Sequence, residues 1–311
     1  MAEPMKVAYV FPGQGSQWVG MGRDLYHDFD SARAVFEQAD EALGFPMSRL
    51  CFEGPEDELR QTINAQPALV TVSFACLEAT RSVSASSGLP PASFVAGHSL
   101  GEYTALAAAG VLDFATTVYL ARERGRLMHE AGQMIPGGMA AIIGLDETLL
   151  AEVCEQTGTR IANINSPGQI VISGAKDNLT QAMDLAKSKG AYRAIPLPVS
   201  GAFHTPLMQP AVDGMAEIIG GISFHQPVIP IVANTTAQPS TTAESIKEEL
   251  LGQLCNCVQW QRSVEYMVSD GVSTFIEIGP GKVLAGLIKR IDKNVKILNI
   301  GDADAIKRGV G

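Results

Sequence analysis

The stretch FVAGHSLGEY, residues 94–103, decides the fold. Three apolar residues, Phe94-Val95-Ala96, run into Gly97-His98-Ser99-Leu100-Gly101, and a helix-compatible segment follows. An apolar strand, a G-x-S-x-G turn and a helix make a nucleophile elbow, where glycines permit a turn tight enough to lift the serine hydroxyl above a sheet edge. The five-residue pattern alone is common by chance, and the strand before it and helix after it give it weight. Ser99 is therefore the candidate nucleophile.

Working outward, 6–11 reads as a buried strand entering the glycine-rich run Pro12-Gly13-Gln14-Gly15-Ser16-Gln17. Apolar residues recur at three and four positions over 25–43 and 66–84, the helical period. A connector at 86–93 carries Gly88, Pro90 and Pro91. After the strand at 94–96, helices are expected at 102–109 and 114–131. From about 134 the texture changes. Strand 139–144, helix 147–156, strands 160–164 and 169–173, helix 176–189 and strand 192–197 follow in the β-α-β-β-α-β order of a ferredoxin-like unit. The earlier alternation then resumes: helix 206–219, strand 228–233, helices 243–254 and 263–269, strand 274–278, helix 283–291 and strand 295–300. Short apolar strands alternating with helices predict an α/β fold, a mostly parallel sheet covered on both faces. The large subdomain would span 1–133 and 198–311, with 134–197 inserted as a small one.

A chain of 311 residues that is 46% hydrophobic has material for a large core. Its formal charge of −10 argues against nonspecific nucleic-acid binding. No apolar run reaches the roughly 18 residues of a membrane span. Met1-Ala2-Glu3-Pro4 lacks the features of a signal peptide, and five cysteines suggest reduced thiols, so a cytoplasmic protein is expected. Cys255 and Cys257 are spaced C-x-C, without the two-residue gap of zinc or redox pairs, and no metal site is expected.

A nucleophilic serine needs a base. His27, His98, His129, His204 and His225 are available. His98 adjoins Ser99, yet neighbours on a sharp turn usually point apart, and spacing alone does not select His204. Gly13-Gln14-Gly15 lacks the third glycine of G-x-G-x-x-G because Trp18 occupies that position, and Gly279-Pro280-Gly281-Lys282 is followed by Val283 where a P-loop needs Ser or Thr. Both runs still sit between a strand end and a helix, where backbone N–H groups meet anions or oxyanions. Arg122, Arg124 and Arg126 lie two apart on one helix and cannot share a face. A guanidinium turned inward would match a carboxylate with two parallel hydrogen bonds.

Taken together, several stretches resemble the malonyl-CoA:acyl-carrier-protein transacylase family and its polyketide-synthase acyltransferase relatives. They are Phe11-Pro12-Gly13-Gln14-Gly15-Ser16-Gln17, Gln66-Pro67-Ala68, Gly97-His98-Ser99-Leu100-Gly101-Glu102-Tyr103, Arg124-Gly125, Asn165-Ser166-Pro167-Gly168-Gln169, Gly201-Ala202-Phe203-His204, Val258-Gln259-Trp260 and Gly279-Pro280-Gly281. They keep the family's order along almost the whole chain. The resemblance implies a hydrolase-like α/β core with a ferredoxin-like insert. It implies Ser99 as nucleophile and His204 as its base, oriented by Gln259 chiefly through a main-chain carbonyl. It further implies backbone N–H groups of Gln14 and Leu100 as the oxyanion hole and Arg124 as a clamp on the malonyl carboxylate. His98, Gln66 and Asn165 would line the pocket, and Phe203 would crowd an α-methyl group and so favour malonyl. Family members often carry proline where this chain has Cys257.

Malonyl-CoA and a phosphopantetheine thiol would be substrates, with no cofactor. The partner would be acyl carrier protein, with no nucleic acid or membrane, and the chain would be monomeric. Carrier docking would need a local basic patch, Lys282, Lys289 and Arg290 or Lys187, Lys189 and Arg193. The alternatives are a stand-alone polyketide-synthase acyltransferase, an esterase or thioesterase of the α/β-hydrolase class, and a noncatalytic carrier-binding scaffold. Asp177 and Asp184 lie between Ser99 and His204, so chain order leaves a hydrolase triad open, although residues 205–311 follow the histidine.

Overall fold

The computed structural model describes residues 6–83 and 89–309. Met1-Ala2-Glu3-Pro4, Ser84 and the 86–88 part of the expected connector lie outside the described residues. The strands are β1 (Lys6–Phe11), β2 (Phe94–Gly97), β3 (Gly137–Ile143), β4 (Arg160–Ser166), β5 (Gln169–Ala175), β6 (Arg193–Pro196), β7 (Ile231–Val232), β8 (Pro239–Ser240), β9 (Val272–Ile278) and β10 (Lys296–Ile300). They build two sheets. The larger runs β10-β9-β1-β2-β7-β8 and is parallel except where β8 pairs antiparallel with β7; the smaller, β4-β5-β3-β6, is antiparallel throughout.

The larger sheet is buried on both faces, as parallel sheets are. On β1, Val7, Tyr9 and Phe11 enter one core while Ala8 and Val10 enter the other. Helices Asp30–Leu43, Thr62–Val83, Gly101–Ala108, Phe114–Met134 and Gln209–Gly220 cover the first face. Helices Trp260–Ser269 and Val283–Ile291 cover the second. The smaller sheet packs on helices Glu147–Thr157 and Lys176–Ser188 around its own core of Ala140, Ile142, Ile170, Ile172 and their neighbours.

Several expected elements differ in extent. The single helix expected over 25–43 is two, Arg23–Asp28 and Asp30–Leu43, broken at Phe29, which is extended (φ −134°). Both halves bury the same side, so the apolar period runs through the break. Helix Thr62–Val83 begins before the expected 66 and holds Pro67 inside it. Proline has no N–H to give the carbonyl four residues back, and Arg122 Nη1 donates to that Ile63 oxygen at 2.8 Å instead. The strand expected over 228–233 shrinks to β7, because the N–H of Val228 turns to the Ala109 carbonyl at 2.9 Å. Helices Met47–Glu53, Glu56–Arg60 and Ala303–Arg308, too short to show a period, were not expected from the sequence.

The elbow itself is built by contact. Neither Gly97 nor Gly101 is left-handed; Ser99 is, at φ 50°. A Cβ on Gly97 would fall 1.8 Å from the Gly101 carbonyl carbon, and one on Gly101 would fall 2.1 Å from the Phe11 oxygen. The glycines let strand end, turn and helix crowd together, and the strained torsion falls on the serine.

Candidate active site

A cavity of about 450 Å³ opens beside the elbow. The glycine-rich run after β1, the elbow after β2, Arg124, Phe203 and His204 form one side, and Met139, Ala141, Asn163, Asn165 and Val171 of the smaller sheet form the other. It therefore lies outside the carboxyl ends of the parallel strands, where open α/β sheets bind ligands.

Ser99 Oγ stands 2.9 Å from His204 Nε2, and His204 Nδ1 stands 2.7 Å from the main-chain oxygen of Gln253. A carbonyl only accepts, so Nδ1 carries the proton and Nε2 is left to accept from the serine hydroxyl. His204 is held in the left-handed region at φ 60°, a second strained residue facing the first. Burial, reinforced by the Arg124 cation, pushes the imidazole pKa down from 6.5 to about 3. The imidazole is thus neutral throughout the physiological range. Its folded pKa is the lower one, so the stability it contributes is complete above pH 6.5 and is lost as pH falls towards 3. The loss is about 1.4 kcal/mol per pH unit over the steep part of that window. Denaturation at stepped pH should show this slope, and His204→Ala should remove it. Burial also lowers the pKa of His98, adding a slope of the same sign.

The expected role of Gln259 needs correction. Its side-chain oxygen accepts from Arg262, its backbone N–H donates to the Asn234 oxygen at 2.7 Å, and its carbonyl receives Ser263 N as the helix Trp260–Ser269 begins. That carbonyl is committed to the helix, whereas Gln253, at the end of the preceding helix Ala243–Gly252, has its carbonyl free for the imidazole.

Arg124 is buried on helix Phe114–Met134. It donates to Gln66 Oε1 at 2.7 Å, to Gln253 Oε1 at 2.6 Å and to Ser99 Oγ at 3.1 Å, and its guanidinium lies over the Tyr103 ring. Its Nε has no partner, and among the described residues no carboxylate comes within ion-pair distance. Burial lowers its pKa. Arg122 and Arg126 face elsewhere, Arg122 to Ile63 and Asn64, Arg126 to Glu123 and Glu130.

Gln14 and Leu100 both line the cavity, and among the described residues no acceptor engages the backbone N–H of either. Gly13, whose Cβ would lie 2.3 Å from the His98 oxygen, brings the first loop against the elbow. Gln66 donates to Thr62 Oγ1 at 2.8 Å, which donates in turn to Gln14 Oε1 at 2.9 Å. His98 Nε2 meets Asn165 Oδ1 at 2.8 Å, tying the elbow to the smaller sheet, and Phe203 is buried in the cavity wall.

Gly13-Gln14-Gly15 lies, as expected, between the end of β1 and the next helix, Arg23–Asp28. One further expectation is corrected. The amino end of helix Val283–Ile291, after Gly279-Pro280-Gly281, is already occupied: Glu277 accepts from Leu284 N at 3.0 Å and Ala285 N at 2.8 Å. An internal carboxylate sits where an anion was expected.

Asn234 escaped the sequence reading. Its Oδ1 accepts from Ser99 N at 2.7 Å and its Nδ2 donates to the Gly97 oxygen at 2.7 Å, bracing both sides of the elbow. A polar residue just past a parallel strand, Ile231-Val232-Ala233-Asn234, is the signal that could have found it. Asn234→Ala leaves a buried N–H and C=O unpaired. It should lower stability by about 2–4 kcal/mol, read from denaturant unfolding.

The acyl transferase domain model matches residues 8–303. The chain is 44% identical over 310 residues to the malonyl CoA-acyl carrier protein transacylase of Bacillus subtilis, covering 98% of this chain and 96% of the relative. It is 46% identical over 288 residues to the Escherichia coli K12 protein of the same name, covering 91% and 92%. The chain belongs to this acyltransferase family. The crystal structure of the Bartonella henselae acyl-carrier-protein-S-malonyltransferase superposes with a TM-score of 0.93 at 44% identity, covering 98% of each chain. A malonyl-transacylase solved with a holo type II PKS acyl-carrier protein superposes at 0.92 with 40% identity, covering 97% of this chain and 98% of that one. The acyltransferase has no described helix long and apolar enough to cross a membrane, and its five cysteines are free.

Proposed function

We propose that this chain moves malonyl from malonyl-CoA to the phosphopantetheine thiol of acyl carrier protein through a malonyl-Ser99 intermediate, serving fatty-acid synthesis in the cytoplasm. The observation that carries it is Arg124: a buried cation, met among the described residues by amide and hydroxyl oxygens and an aromatic face but by no carboxylate within ion-pair distance, and within hydrogen-bond reach of the nucleophile. A charge left unpaired in a dry pocket is unfavourable, and a substrate carboxylate would neutralise it.

His204 Nε2 takes the proton as Ser99 Oγ attacks the thioester carbonyl, and the developing oxyanion is received by the N–H groups of Gln14 and Leu100. The C–S bond breaks and coenzyme A leaves with that proton. The carrier thiol then attacks the acyl-serine, giving its proton to His204; the new C–S bond forms, the ester C–O bond breaks, and Ser99 Oγ takes that proton back from Nε2. Because the Arg124 cation depresses the His204 pKa, a carboxylate that pairs with Arg124 strengthens the base, so the matching substrate activates its own attack. Subdomain 134–197 serves as a ferredoxin-like wall on a hydrolase-like core, supported by the strand order β4-β5-β3-β6.

A hydrolase triad would orient the imidazole with an acid. Here Nδ1 meets a main-chain carbonyl, and Asp184 pairs with Lys187 on helix Lys176–Ser188, in the smaller sheet's layer. Carrier protein docks on the patch at helix Val283–Ile291, since Arg290 binds Gln169 on the cavity lining, whereas Lys187 and Lys189 pair with Asp184 and Glu152. Lys282→Glu with Lys289→Glu should slow transfer to carrier protein about tenfold and leave acylation by malonyl-CoA unchanged. Mass spectrometry after malonyl-CoA, then after carrier protein, tests the whole scheme: the adduct should form on Ser99, persist in water and leave only with the thiol acceptor.

A further inference from the structure

Behind Arg124 and Ser99 lies a buried carboxylate that the proposed chemistry does not use. Glu102 occupies the first turn of helix Gly101–Ala108 and is 1% exposed. Its Oε1 accepts from Asn234 N at 3.1 Å, and its Oε2 accepts from Gln253 Nε2. The other Nε2 hydrogen of Gln253 goes to the Ser99 oxygen at 3.0 Å, so both donors of that amide are used. The Gln253 oxygen is thereby turned to Arg124, while its own main-chain carbonyl holds His204.

We propose that Glu102 is the positioning residue of the site, fixing the Gln253 side-chain amide so that its oxygen, and not its nitrogen, faces the Arg124 guanidinium. An amide is nearly symmetric in shape, so only hydrogen-bonding partners select its orientation. Flipped, Gln253 would set an NH₂ against a guanidinium, donor against donor, and turn its dipole against the cation. Through Asn234 the same carboxylate also steadies the brace on Ser99. Burial and the nearby Glu249 raise the pKa of Glu102 well above the usual carboxylate range; the Asn234 and Gln253 bonds and the Arg124 cation oppose that rise. Both oxygens face N–H donors, so the geometry favours a group that only accepts.

This role rests on Arg124 as the malonyl clamp, and Glu102→Gln tests it nearly isosterically. The backbone N–H of Asn234 cannot turn, so the new amide keeps its oxygen there and sets its NH₂ against Gln253 Nε2, and the Gln253 amide must flip to offer an acceptor in that place. The expected result is a loss of kcat/KM for malonyl-CoA of about ten- to hundredfold, with acetyl-CoA changed less than about threefold. A merely structural role would lower both together, and that result, or no change in the ratio, overturns the inference. Gln253→Met keeps the main-chain carbonyl and removes the amide. It should lower the same ratio, and combined with Glu102→Gln it should add little further. Should Glu102→Gln not fold, an unchanged ratio in Gln253→Met overturns the inference by itself. A crystal structure of either variant gives a readout independent of substrate. In Glu102→Gln the Arg124 to Gln253 Oε1 bond should be gone; in Gln253→Met the guanidinium should shift from its position beside Ser99. Persistence of that bond, or an unmoved guanidinium, overturns the inference. Wild-type protein without preference for malonyl would instead sink the clamp, leaving the crystallographic result to judge Glu102.

Discussion

Ser99→Ala is expected to take up no malonyl group and to lower transfer to carrier protein by on the order of 10⁵-fold or more. The Ser99 hydroxyl donates to His204 Nε2, 2.9 Å away, which can take its proton as the oxygen attacks, and it accepts a hydrogen bond from Arg124 at 3.1 Å. Without it the oxyanion donors and the cation still bind substrate, so malonyl-CoA should still protect the protein against unfolding. Intact-mass measurement after incubation with malonyl-CoA, beside a transfer assay, checks both halves. A retained adduct would place the nucleophile elsewhere. His204→Ala should lose nearly as much, since residues acting as one unit are not additive.

Arg124→Ala should lower kcat/KM for malonyl-CoA by roughly 10²–10³-fold and that for acetyl-CoA by less than about tenfold, collapsing the preference between them. The magnitude follows from removing one partner of a desolvated charge pair, which costs about 2–5 kcal/mol. Arg124→Lys should recover only part of the loss, because an ammonium cannot give two parallel bonds to one carboxylate. The variant has a second signature. The Arg124 cation is one cause of the low His204 pKa, so its removal should shift the acid limb of the acylation pH profile to higher pH. Competition between the two thioesters, and the profile from pH 4 upward, are the measurements. An undiminished preference for malonyl would remove Arg124 from the clamp.

The elbow was legible because its demands are local. Gly97 and Gly101 are needed where backbones close to within a Cβ's reach, and a strand, a turn and a helix announce themselves through apolar patterning. The β-α-β-β-α-β order of the smaller sheet was legible for the same reason. The split at Phe29 and the helix start at Thr62 were not, since an unbroken apolar side hides a kink and a proline such as Pro67, favoured in a helix's first turn, marks a beginning too late. The orienting carbonyl was misplaced on Gln259 because any residue has a carbonyl; which one is free depends on where helices end.

From the residues alone came the parallel α/β plan, the serine on its elbow and, through family resemblance, His204 and Arg124 as its companions. Only the tertiary structure decided that Gln253 faces the imidazole, that Asn234 braces the elbow, and that Glu277 rather than a ligand fills the amino end of helix Val283–Ile291. Periodicity and tight turns are properties of neighbours along the chain. Hydrogen bonds between residues 99, 102, 124, 234 and 253 depend on how four separate segments of the chain pack, and no local pattern encodes that distance.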